Sequence, residues 1–122
     1  MNYTRAVLKE KNVINKRIKR LETVREPSKR IELLRAIIKG LQYHQPEVAR
    51  EYAQELLDLG LQNRDNENLG IACNVFAIAE IQHGDYRKAR LYCYQAFDAL
   101  SDKSEQFIIT CKNLAEILIN QG

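Results

Sequence analysis

The chain has no tryptophan, only two prolines and only five glycines among 122 residues. So few helix breakers allow long unbroken helices and argue against a sheet that turns tightly and often. No apolar run approaches the roughly 18 residues needed to span a bilayer, so no membrane partner is expected. The opening, MNYTRAVLKEKNVINKRIKR, is basic but lacks a continuous apolar stretch, so it is not a secretory signal. The three cysteines, Cys73, Cys93 and Cys111, are odd in number and form no C-x-x-C pair. They read as small buried residues of a reduced, cytoplasmic protein. No nearby His or Cys completes a ligand set, so neither metal nor cofactor is expected.

Reaction signatures are missing too. No Ser or Cys stands in a nucleophile elbow, and no G-x-G-x-x-G or G-K-[ST] phosphate loop occurs. The acidic residues are scattered and form no recognisable acid–base pair. His44 and His83 read as helix-end residues that favour the helix dipole. An enzyme is not expected.

What the chain does have is an ordinary globular balance, 45% hydrophobic and 29% charged, at a length that suits one domain. Its net charge of +3 is unevenly placed. Residues 1–30 hold ten Lys/Arg against three Glu, and the remaining 92 hold nine against thirteen acids.

Helical spacing of apolar residues predicts six helices and no sheet. The first runs from about Tyr3 to Val24, with Tyr3, Val7, Ile14, Ile18 and Leu21 on one face. Pro27 ends it, because the residue before a proline avoids the helical region. The second covers about Ser28 to Tyr43, with Ile31, Leu34, Ile37, Ile38 and Leu41 inward. The third runs from Pro46, well placed in a first turn, to Asn63. The cluster Asn63-Arg64-Asp65-Asn66 supplies N-cap residues for a fourth helix, Glu67 to His83, which Gly84 closes. A fifth covers Asp85 to Leu100. Ser101-Asp102 is expected to cap a sixth, Lys103 to Asn120. Loops this short make neighbours antiparallel.

The chain also repeats itself. A shift of 38 places Cys73 on Cys111, Phe76 on Leu114, Ala77 on Ala115 and Gly84 on Gly122. A shift of 39 places Ile37 on Phe76, Ile38 on Ala77 and His44 on His83. A shift of 40 places Ala49-Arg50-x-Tyr52 on Ala89-Arg90-x-Tyr92, and Asp58 on Asp98. A two-helix unit with small turn insertions gives such a set of shifts.

These residues resemble tetratricopeptide-type helical repeats. Phe76 and Ala77 fill the large and small places of a first helix, Gly84-Asp85-Tyr86 the turn, and Ala89, Cys93 and Ala96 the second helix. Leu114, Ala115 and Gly122 begin another unit. Ala49 and Tyr52 mark a weaker one, with Gln45-Pro46 at its turn. The spacing exceeds the family's usual ~34 residues. Cys73 and Cys111 stand where the family has Trp, and the closing Pro is absent. The resemblance implies an all-α array of stacked antiparallel hairpins. Residues 1–25 form a basic amphipathic helix, and residues 27–122 form the repeats, as units 27–63 and 66–100 and a half unit 103–122. The sixth helix is then the first helix of a third unit, or a terminal cap.

The longer units resemble those of bacterial signalling regulators. The resemblance implies a protein- or peptide-binding scaffold or sensory module, cytoplasmic and the N-terminal part of a larger protein. By the family pattern Arg35, Lys39, Asn74, Ile78, Lys112 and Glu116 line the concave face and hold a peptide. An Asn amide there pairs with peptide backbone, and the cations receive carboxylates. The alternative is a nucleic-acid-associated module using Arg5, Lys9, Lys16, Arg17, Lys19 and Arg20. The stripe Val7, Ile14, Ile18 and Leu21 argues instead for packing on the first repeat, and no aromatic platform stacks bases, so nucleic acid is not expected. Left uncovered, that stripe supports a homodimer through the first helix.

Overall fold

The computed structural model describes residues 2–121, with side chains from Arg5 onward. Gly122 and the Tyr3 side chain, both used in the sequence reading, lie outside that description. The chain forms six α-helices: α1 Asn2–Leu21, α2 Pro27–Leu41, α3 Pro46–Asn63, α4 Asn66–His83, α5 Tyr86–Ala99 and α6 Glu105–Gln121. No strand occurs among the described residues.

The helix ends follow from local chemistry. Pro27 and Pro46 open α2 and α3, where a missing N–H leaves no bond unmade. Asp65 caps α4 by accepting from the Asn68 amide at 3.2 Å. Asp85, expected inside the fifth helix, instead caps it, accepting from the Lys88 amide at 3.1 Å. Gly84 closes α4 in the left-handed region at φ 79°. At the end of α3 that conformation falls to Arg64, φ 55°, where the sequence offers no glycine. Both turns finish alike: the amides of Asp65 and Asp85 donate to the carbonyls of Gly60 and Glu80, each at 2.9 Å.

Two further ends differ from the sequence reading in ways that side chains explain. α1 stops at Leu21 rather than Val24. Arg30 takes the carbonyls of Leu21 and Val24 at 2.7 and 2.5 Å, and its other nitrogens grip both Glu55 oxygens at 2.7 and 3.0 Å. One guanidinium thus satisfies carbonyls the helix end leaves free and ties α1 to α3. α6 is capped by Ser104, whose hydroxyl accepts from the Gln106 amide at 3.1 Å. Ser101 only closes its own turn, onto the Lys103 amide at 3.2 Å.

Each helix packs on the next, and α4 packs on α6 as well. α4 is central: eleven of its eighteen residues are buried, as befits a helix covered on several sides. The main core joins Leu34, Ile37 and Ile38 of α2, Ala49, Ala53 and Leu56 of α3, and Ile71, Val75 and Phe76 of α4. Full burial of each large aliphatic there contributes about 1.5–3 kcal/mol.

Small residues set the helix spacing. Ala49 and Ala53 in α3 and, forty residues on, Ala89 and Cys93 in α5 are all completely buried. The 38-residue relation between α4 and α6 holds on one side only. Ala72, Val75 and Ala79 are buried, and so are their counterparts Thr110, Asn113 and Ile117. Cys73 and Ala77 are also buried, but their counterparts Cys111 and Ala115 are exposed.

At the far end of α4, Gly70 admits the Leu100 side chain. A Cβ on Gly70 would lie 2.3 Å from Leu100 Cγ. We expect Gly70→Ala to destabilise the chain by about 1–3 kcal/mol in urea unfolding, despite alanine's better helix propensity. The loss should shrink when Leu100→Ala is introduced as well. Equal losses in both backgrounds would show that this contact is not the cause.

Candidate functional site

The six expected groove residues lie on α2, α4 and α6. Arg35 and Lys39 are exposed on α2, Lys112 and Glu116 are exposed on α6, and Ile78 is half-buried on α4. Asn74 is different. Expected on an open wall, it is fully buried. Its amide nitrogen donates to the Gln106 carbonyl and to Gln106 Oε1, both at 3.1 Å. Its oxygen accepts from Thr110 at 2.9 Å and from Asn113 at 3.4 Å. Asn74 is therefore spent on docking α6 against α4 and is closed to a ligand.

That bridge falls between two clefts. Ile71, Asn74 and Ile78 are spaced to share one side of α4. At the Ile71 end a cleft of about 280 Å³ lies between α2 and α6. Arg35, Lys39 and Gln42 border it from α2, Glu105, Gln106 and Ile109 border it from α6, and Ile38 and Ile71 form its apolar floor. At the Ile78 end a second cleft, about 360 Å³, is lined by Tyr43, Ile78, Tyr86, Asn113 and Glu116, among others. Arg35 and Lys39 thus share one cleft, Ile78 and Glu116 share the other, and Lys112 lines neither.

Gln106, Thr110 and Asn113 were not anticipated. Their signal was present: Thr110 and Asn113 occupy, 38 residues on, the places of buried Ala72 and Val75. A polar residue at a buried repeat position needs an internal partner.

The helix-1 stripe is mostly consumed within the chain. Ile14 and Leu21 are buried and Ile18 is half-buried against the main core. Val7 alone of the four is open, beside exposed Leu8 and Val13. The stripe is therefore not the uncovered surface that a dimer through α1 requires. Arg5, Lys9, Lys16, Arg17, Lys19 and Arg20 are all exposed. His83 Nε2 lies 2.5 Å from Glu47 Oε1, and Glu47 is also 3.7 Å from Arg50, which pairs with Glu80. Arg50 thus forms ion pairs with Glu47 and Glu80, and His83 is hydrogen-bonded to the same Glu47, joining the start of α3 to the end of α4. Among the described residues no three His, Cys, Asp or Glu side chains come together as metal ligands.

The cysteines divide. Cys73 and Cys93 are buried, and burial pushes both thiols up to about 11, because a low-dielectric site disfavours the thiolate. Cys111 is exposed, contrary to the sequence expectation.

Two outcomes follow. Iodoacetamide at neutral pH should label one thiol of the native chain, Cys111, and three after denaturation, as read by intact mass; rapid native labelling of a second thiol would contradict the burial. Asn74→Ala leaves the buried Asn113 amide without its acceptor and Thr110 with the Gln106 carbonyl alone, and should cost about 1–3 kcal/mol. Hydrogen exchange should quicken in α6 before α2 and α3, and uniform quickening would show that Asn74 does not hold α6 specifically.

Comparison with protein-family models, with curated proteins and with solved structures found no match to this chain.

Proposed function

We propose that the chain binds an acidic, partly apolar segment of a partner protein in the cleft between α2 and α6. One observation carries this reading: two exposed cations, Arg35 and Lys39, border an apolar floor of Ile38 and Ile71. Cations at a rim attract and orient carboxylates, while a desolvated floor supplies affinity for aliphatic side chains. Glu105 on the opposite wall opposes a uniformly acidic ligand and favours one with its acids toward α2. The resemblance to tetratricopeptide-type repeats supports a scaffold or sensory role, in a cytoplasmic bacterial regulator, through a superhelical array. The chemistry assigned to the cleft in this reading is recognition.

The site is narrower than the row of residues that family pattern implies. Arg35 and Lys39 carry the cation role, Asn74 is removed from it, and Lys112 is peripheral. In fluorescence anisotropy against labelled peptides mixing glutamate and leucine, Arg35→Ala with Lys39→Ala should weaken binding by about tenfold, which is 1.4 kcal/mol. Lys112→Ala alone should change it little. Unchanged affinity in the double variant removes the proposal. A binding constant that instead falls steeply with salt for nucleic acid, and tracks Arg17 and Arg20, would move the function to α1.

A further inference from the structure

The open side of α6 has a counterpart inside the same molecule. On α4, Cys73, Phe76, Ala77 and Ile81 meet α5. Cys73 Sγ lies 3.8 Å from Gln95 Oε1, the Phe76 and Tyr92 rings are 5.3 Å apart, and Ala77 packs with Ala89 and Cys93. Ile81 packs against the same cluster beside Tyr86. Thirty-eight residues on, those places are Cys111, Leu114, Ala115 and Ile119. Leu114 is half-buried against α5 and the other three are exposed, Ile119 at 77%. Ile108 and Leu118, 57% and 56% exposed, extend the same face. Single exposed aliphatics are ordinary, but a contiguous face of them marks an interaction site.

We infer that this face docks an amphipathic helix of a partner protein, lying antiparallel to α6 and carrying small residues at the spacing of Ala89, Cys93 and Ala96. What covers α4 shows what fits α6. Cys111 and Ala115 repeat the small Cys73 and Ala77, so the acceptor stays shallow and a helix with small residues approaches closely. Leu118 stands where α4 has Glu80, the partner of Arg50, so the incoming helix needs no basic residue there. Ile108 stands where α4 has Gly70, the glycine that admits Leu100. The helix must therefore carry a smaller side chain than leucine at that end.

A second copy of the chain fits the face poorly. The stripe runs from Ile108 to Ile119, so a two-fold pair of α6 helices has its axis near its midpoint, beside Lys112. Such a pairing sets Ile119 of one copy against Ile108 of the other, the end where the incoming helix needs a side chain smaller than leucine.

Cys111 lies within the face and reports on it. The test uses the unaltered chain and, as probe, a synthetic peptide with the sequence Asp85–Leu100 carrying Cys93→Ala and Leu100→Ala. Titrated to millimolar concentration, it should slow alkylation of Cys111 saturably, by at least about tenfold. The same peptide with Ala89→Arg and Ala96→Arg should have no effect. The chain variant Ala115→Arg, at an exposed position and checked by circular dichroism, should lose the response to the first peptide. No slowing at millimolar peptide overturns the inference, and so does equal slowing by the Arg-bearing peptide. Sedimentation that finds the chain alone dimeric, and Ala115→Arg monomeric, also overturns it by giving the face to a second copy.

Discussion

Everything in this molecule rests on how closely its helices can approach. Ala49 and Ala53 on α3, and Ala89 and Cys93 on α5, are buried without remainder. Small side chains at these places let whole helix backbones come together, so that larger residues interlock around them. α4 profits most, since it is flanked by both seams and buries polar as well as apolar residues. Its lack of a single polar face is a consequence of that position. A helix touched by α3, α5 and α6 has little side left for water.

Within that frame one polar contact fixes the last helix. Apolar surfaces alone leave α6 free to slide, since aliphatic side chains tolerate several registers. The Asn74 amide, with Gln106, Thr110 and Asn113, does not. Each of its hydrogen bonds is directional, and a one-turn slip would strand buried polar groups. The same residue separates the two clefts, so the element that orders α6 also limits the length of any ligand lying along α4. Recognition surface and fold are therefore not independent here.

Much of the architecture was legible in the sequence, and particular residues show why. Pro46 and Gly84 punctuate helices through backbone properties that act locally, so the starts of α3 and the end of α4 were read correctly. Stripes such as Leu34, Ile37, Ile38 and Leu41 are periodic, and periodicity reveals a buried side. What it does not reveal is which neighbour does the covering. Asn74 and Cys111 were both misplaced for this reason: one lies under α6, the other on the side of α6 that nothing covers. Ser104 was missed because Ser101 and Asp102 are equally good caps in isolation, and only the docking of α6 selects among them. Arg64 was missed because its left-handed conformation is imposed by a tight turn and not by its own preference.

Arg30 has a mechanical meaning. Its guanidinium holds the carbonyls of Leu21 and Val24, at and just beyond the foot of α1, with one nitrogen and a carboxylate of α3 with two others. The outer turns of α1, from Arg5 to Val13, are exposed along their whole length, so that part of the helix is a lever whose fulcrum is near Ile14. Arg30 belongs to the first turns of α2, so torque applied to the lever's tip is carried through α2 and, by way of Glu55, into α3, one wall of the central core.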